Sequence, residues 1–71
     1  MEYLVVVEKG ESSFGAYVPD LPGCVAAGET HREVPKLIRE AIESHIEALR
    51  ESGKPVPEPN SKSEMVKVRA A

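Results

Sequence analysis

Three side chains in this sequence could take part in nucleophilic or metal chemistry: Cys24, His31 and His45. A cysteine beside a histidine can form a nucleophile with its base, and both residue types bind zinc. Cys24 opens an apolar segment, however, and His45 lies on the apolar face of a predicted helix, so a buried thiol and a core histidine are the simpler interpretations. The spacing of the three matches no recognisable metal motif. We therefore predict no enzyme activity, no catalytic residue, no metal site and no cofactor.

The size of the chain limits how it can be stabilised. Its 71 residues suffice for one domain with a small core. Such domains are usually stabilised by disulfides, metals or oligomerisation, and a single cysteine cannot form a disulfide within the chain. The free thiol, together with the lack of a signal segment or a long apolar run, is typical of a cytoplasmic protein that does not enter a membrane. Oligomerisation or a permanent partner is the expected source of added stability.

Charge is distributed unevenly along the chain. The first 30 residues carry five acidic side chains against one basic side chain. Direct binding of nucleic acid requires clustered lysine and arginine, so we expect no nucleic acid partner. An acidic surface suits a basic protein partner. The alternative is a solvated acidic surface that binds nothing.

Three short strands are predicted in the first part of the chain. Residues 3–7 and 14–18 are rich in β-branched and aromatic side chains and are separated by a polar, glycine-containing loop. The Leu-Pro-Gly-Cys sequence at 21–24 predicts a type II turn, because proline fixes φ at its second position and glycine allows a positive φ at its third. A third short strand is predicted at 24–27, which completes an antiparallel meander.

One amphipathic helix is predicted at about 31–52. Thr30 and Glu33 have the spacing of a capping box, and the apolar residues that follow recur with the helical period. Pro35 leaves two alternatives open, since either the first turn is distorted or the regular helix begins near the proline itself. The capping pattern favours the first alternative. Gly53 is expected to end the helix.

The remaining residues complete a single predicted domain over 1–71. The proline-rich segment 54–63 predicts an extended connection, and a last short strand is predicted at about 64–68. The fold class is therefore α+β, a small βββαβ domain with an antiparallel sheet and one helix on one face. Strand 3–7 is apolar on both faces, so one apolar sheet face would remain uncovered. Monomeric proteins avoid such surfaces, which predicts a homo-oligomer or another protein partner.

The segment FGAYVPDLPGCVAAGET, residues 14–30, followed by an amphipathic helix, resembles the HicB-like antitoxin family. The family pattern is an aromatic strand, then Pro-Asp-Leu-Pro-Gly-Cys, then a glycine before a capped helix. The resemblance covers about residues 2–57. The positions that match the pattern are Phe14, Tyr17, Pro19, Asp20, Leu21, Pro22, Gly23, Cys24, Gly28 and Thr30.

This resemblance implies both a fold and a function. The fold would be partly ribonuclease H-like, without the catalytic carboxylates. The function would be that of the antitoxin of a type II toxin–antitoxin pair, which self-associates and inhibits a small basic HicA-type toxin that cleaves messenger RNA. We expect a short stand-alone member without a DNA-binding module, with Glu8, Glu11 and Asp20 as candidate partner contacts. The alternative function is a homo-oligomeric binding or scaffolding domain with no toxin partner.

Overall fold

The computed structural model describes residues 1–70 of the chain. Three strands, β1 (Val6–Lys9), β2 (Phe14–Tyr17) and β3 (Val25–Gly28), are followed by one helix, α1 (Val34–Glu51). The strands form one antiparallel sheet in the order β1-β2-β3. This arrangement confirms the predicted small α+β domain. No helix in the described part of the chain is long and apolar enough to cross a membrane.

The register of the sheet defines its two faces. Two rows of directly opposed residues cross the three strands: Val7, Ala16 and Ala26 in one, and Val6, Tyr17 and Val25 in the other. Opposed residues share a face of the sheet, and successive residues alternate between faces. Ala16 is 4% exposed and Val25 is 64% exposed. The first row therefore faces α1, and the second lies on the uncovered side, which we call the open face.

The core forms where α1 packs against β3 and β2. Leu21 and Val34 are fully buried there, and partly buried side chains such as Phe14 and Ile42 surround them. The buried residues of the described chain are Ala16, Val18, Leu21, Cys24, Val34 and Ile38. A core of this size is marginal for an isolated domain, so each buried side chain contributes a large share of the stability.

The turn after β2 has the predicted type II conformation. The amide of Cys24 donates to the carbonyl of Leu21 at 3.0 Å, and Gly23 has a φ of 86°, as this turn requires at its third position. A preceding turn joins the amide of Leu21 to the carbonyl of Val18 at 3.0 Å. The two consecutive turns bury Leu21 and return the chain so that β3 begins beside β2.

The helix begins at Val34, which is later than predicted. Glu33 forms the preceding turn, because its amide donates to Oγ1 of Thr30 at 3.3 Å. This bond is one half of the predicted capping box. The other half is displaced by one residue, because the Glu33 carboxylate accepts from the amide of Glu29 at 3.1 Å rather than from that of Thr30. Pro35 has no N–H to donate and fits only in the first helical turn. The regular helix therefore starts beside the proline, which was the second of the two alternatives.

The helix ends as predicted at a glycine. Gly53 has a φ of 71°, and the amide of Lys54 donates to the carbonyl of Leu49 at 2.9 Å, a Schellman-type ending. Residues 54–70 then contain neither helix nor strand. The strand predicted at about 64–68 is thus not formed in the single chain, where its backbone has no partner strand. The ribonuclease H-like arrangement, which includes that strand, stays a prediction.

Candidate protein–protein interface

The three predicted contact residues lie at opposite ends of the sheet. Glu8 belongs to β1 opposite Gly15, and Glu11 lies in the loop between β1 and β2. Both side chains are exposed. Asp20 follows β2 in the turn at the other end of the strands and is half-buried. The structure therefore groups Glu8 with Glu11 and separates both from Asp20.

The Asp20 carboxylate binds the C-terminal segment of its own chain. Its Oδ2 accepts from the amides of Asn60 at 3.0 Å and Ser61 at 2.9 Å, and its Oδ1 accepts from the Ser61 hydroxyl at 2.9 Å. We call this the Asp20 contact. The backbone hydrogen bond from Ser61 is the main cause that lowers the pKa of Asp20, because it stabilises the charged carboxylate. Nothing local in the sequence indicates this contact, since Asn60 lies 40 residues from Asp20.

A second hydrogen bond holds the same segment. The hydroxyl of Tyr3 donates to the carbonyl of Pro57. Desolvation, and then the negative charges of Glu58 and Asp20, raise the pKa of Tyr3, so the phenol remains protonated and able to donate at neutral pH. Together with the Asp20 contact, this bond fixes residues 57–61 against the turn end of the domain.

We expect the Asp20 contact to open in acid. Because the pKa of Asp20 is lowered in the folded chain, its contribution to stability is fully present above the ordinary aspartate pKa of about 3.9. It is lost as the pH falls through the lower, folded-state pKa. In an NMR titration, the amide resonances of Asn60 and Ser61 should therefore shift with a midpoint below about 3.9. The same titration should persist in Glu58→Gln and disappear in Asp20→Asn, and its survival in Asp20→Asn would contradict the assignment.

The open face of the sheet exposes apolar side chains next to charged groups, Glu8 and Lys9. Tyr17 is 41% exposed and Val25 is 64% exposed. A shallow hollow of about 430 Å³ lies beside them and extends to Glu8 and the hairpin loop. Aromatic and apolar side chains next to charged groups are the usual composition of a protein-binding surface. This end of the open face is therefore the candidate interface for a partner with basic groups.

A second apolar surface lies on the helix side of the sheet. Because α1 packs over β3 and β2, the inner side chains of β1 border an uncovered channel of about 560 Å³, which we call the β1–α1 groove. Its apolar lining residues are Met1, Tyr3, Val5, Val7, Val34, Pro35, Ile38, Ile42 and Ile46. Glu2, Arg39 and Glu43 also line it. Apolar surface is thus uncovered on both sides of β1, whereas the sequence predicted one uncovered face.

Two of the three residues considered for catalysis, Cys24 and His31, are placed for packing, and His45 is half-buried on α1. Cys24 is 3% exposed, and burial raises the pKa of its thiol, which opposes formation of a reactive thiolate. The ring of His31 packs edge-on against Phe14, with ring centroids 5.7 Å apart. Within residues 1–70, no group of three or more histidine, cysteine, aspartate or glutamate side chains could hold a metal ion.

Comparisons with known proteins agree with one another. A family model described as the HicB-like antitoxin of bacterial toxin–antitoxin systems matches residues 3–70. The chain is 37% identical over 62 residues to a UPF0150 protein of Thermoplasma acidophilum, across 86% of this chain and 90% of that protein. It is 38% identical over 60 residues to a 14.9 kDa protein of Haemophilus phage HP1, across 84% of this chain. The match spans 45% of the phage protein, so this relative is about twice as long.

A solved structure shows the same likeness in three dimensions. One chain of a HicA3–HicB3 toxin–antitoxin complex superposes with a TM-score of 0.74 and 38% sequence identity, across 84% of this chain and 70% of that chain. The family model and this structure both point to a non-enzymatic regulatory protein, as the sequence predicted. The chain belongs to the HicB-like antitoxin family.

Proposed function

We propose that this protein is the antitoxin of a type II toxin–antitoxin pair and that it binds and inhibits a small basic HicA-type toxin that cleaves messenger RNA. The observation that carries the proposal is the match, in sequence and in fold, to a chain of a HicA3–HicB3 complex. The protein would act in the cytoplasm, where reducing conditions keep Cys24 a free thiol.

The charge of the chain supports this partner. The formal net charge is −3 at pH 7. Two exposed carboxylates, Glu8 on β1 and Glu11 in the hairpin loop, lie at the hairpin end of the sheet and outnumber the exposed Lys9 between them. A ribonuclease must present lysine or arginine to the phosphates of its substrate. Opposite charges on the two proteins would speed their association and orient them as they meet. The hairpin end of the open face would thus bind the basic surface of the toxin.

Contact at such a surface would inhibit the toxin directly. The lysine and arginine side chains that bind RNA phosphates would be covered or neutralised by the antitoxin, so RNA would compete with Glu8 and Glu11 for the same groups. Tyr17 and Val25 supply the apolar part of the contact, since both are already exposed on the open face. Inhibition would then require no catalytic group on this chain.

The proposal is tested by affinity purification of the tagged protein from its own host, with mass spectrometry of what elutes in stoichiometric amount. We expect a small basic protein that cleaves RNA alone and stops cleaving when this chain is added. The untagged wild-type chain, carried through the same purification, is the control for non-specific capture. Recovery of this chain alone would contradict the proposal and would favour the homo-oligomeric scaffolding function.

A further inference from the structure

Gly15 is a glycine that the fold of this chain does not require. It lies within β2, and its φ is not positive. Apart from its two chain neighbours, no heavy atom of the described chain lies within 4 Å of the position that a Cβ would take there. A glycine inside a strand lowers stability, and it often marks a place where a ligand or another chain approaches closely. We therefore expect the group that approaches Gly15 to come from another molecule.

The side chains around Gly15 are a carboxylate and an aromatic ring. Gly15 is directly opposed to Glu8 on β1, and it lies two residues from Tyr17 on β2, so all three belong to the open face. All three also line the hollow of about 430 Å³. Glu8 and Tyr17 are diagonal neighbours, whose separation on one face of a sheet is about 7–8 Å. Because Gly15 has no side chain, the space between them is open to a group from a partner.

We propose that this space receives an arginine side chain of the protein partner, whose guanidinium stacks on the ring of Tyr17 and pairs with the carboxylate of Glu8 while its aliphatic stem crosses Gly15. The inference rests on the proposed function for the identity of the partner, since a ribonuclease presents such cationic side chains to RNA. It adds to that function the chemical group that the open face selects and the residue that makes room for it.

The chemistry of the site favours arginine over lysine. A guanidinium is planar, stacks on aromatic faces and donates two parallel hydrogen bonds to a carboxylate, whereas the ammonium of lysine is a compact, strongly hydrated charge. The aliphatic stem of arginine can pack along apolar surface while its charged end stays polar. A ring, a carboxylate and an open space between them thus match the three parts of an arginine side chain.

The basic residue next to Glu8 in the sequence belongs to the other face of the sheet. Lys9 lines one end of the hollow, but it is directly opposed to Phe14, one position along from the pair of Glu8 and Gly15. Successive residues of a strand alternate between faces, so the side chains of Lys9 and Glu8 leave the strand in opposite directions. The carboxylate of Glu8 is therefore available on the open face to a cation from a partner.

Replacing Gly15 with valine separates binding from folding. Valine favours a strand and its Cβ meets no obstruction, so Gly15→Val should raise the urea midpoint of unfolding. The same substitution should weaken binding of the captured toxin by about tenfold to a hundredfold, because the branched side chain fills the space meant for the arginine stem. Ser44→Val is the matched control, because it adds a branched side chain to the exposed side of α1, and it should leave toxin binding unchanged.

The arginine site is also tested without a toxin, by NMR titration of the isotope-labelled full chain with N-acetyl-argininamide. N-acetyl-lysinamide at the same concentration and ionic strength is the matched probe. We expect the amide resonances of Gly15 and Tyr17 to shift with the arginine probe, with a dissociation constant in the millimolar range. The shifts should be much smaller with the lysine probe, absent in Gly15→Val and retained in Ser44→Val.

Several outcomes would overturn the arginine site. The first is an arginine probe that leaves these amides unshifted, shifts them no more than the lysine probe, or shifts them equally in Gly15→Val. A Gly15→Val chain that unfolds more readily than wild type would show that the fold itself requires the glycine. A captured toxin that binds Gly15→Val as tightly as wild type would also overturn it. If the wild-type chain captures no toxin but responds to the arginine probe, the arginine site stands and the proposed function fails.

Discussion

Replacing Leu21 with alanine should lower the free energy of unfolding by about 2–5 kcal/mol. Leu21 is fully buried, so the substitution removes apolar contacts and leaves a cavity. A domain this small has only a few kcal/mol of net stability from its core. We therefore expect a large unfolded population at ambient temperature, which urea unfolding followed by circular dichroism would measure as a shifted or incomplete transition.

The position of Leu21 in the turn makes the cavity difficult to close. Its carbonyl accepts from the amide of Cys24 and its amide donates to the carbonyl of Val18. The backbone is thus held at both hydrogen-bonding groups, so the neighbouring chain cannot move inward to fill the space. For this reason the loss of unfolding free energy should fall in the upper half of the range of about 2–5 kcal/mol.

Val25→Ala is the matched control for the loss of side-chain volume. Val25 lies on the open face and is 64% exposed, so its truncation should change the free energy of unfolding by about 0.5 kcal/mol or less. All variants must be compared at one protein concentration, because the apparent stability of a chain that self-associates depends on its concentration. Equal effects at Leu21 and Val25 would contradict the assignment of the core.

The elements that the sequence predicts well are those specified by neighbouring residues. Proline and glycine at 22 and 23 fix the type II turn through their own φ preferences, and the structure shows that turn. The stripe of apolar residues along α1 predicts a helix and the face that it buries. Both features depend on residues within one or two turns of each other.

The features that the sequence does not predict depend on contacts between distant residues or on competing local preferences. The regular helix starts at Val34, beside Pro35, rather than directly after Thr30 as the capping pattern predicts. The ladder of β1 runs over Val6–Lys9 rather than 3–7, because the register with β2 is set by the hairpin. In the Asp20 contact, Asp20 binds Asn60 and Ser61, which lie 40 and 41 positions further along the chain. No local pattern carries that information.

The Asp20 contact changes how the predicted interface should be understood. Asp20 was expected to meet a partner together with Glu8 and Glu11, but its two carboxylate oxygens already accept three hydrogen bonds from Asn60 and Ser61. Glu8 and Glu11 are exposed at the other end of the sheet. A partner attracted by negative charge would therefore meet the hairpin end first, and Asp20 would affect binding only through the position of the C-terminal segment.

The charge reversal Glu8→Lys with Glu11→Lys should weaken binding of the HicA-type toxin by about tenfold to a hundredfold, because two attractive contacts become repulsive. Surface plasmon resonance should show that much of the lost affinity comes from a slower association rate. At higher salt, the affinities of the variant and of the wild type should become more similar, because salt screens the charges. Asp20→Asn removes one charge of the same sign away from the hairpin and should leave the toxin affinity within about threefold. Light scattering must show that each variant has the wild-type mass, so that any loss reflects the toxin contact itself. If the double lysine variant binds the toxin as tightly as wild type, the hairpin end is not part of the toxin interface. The antitoxin function would then have to use another surface.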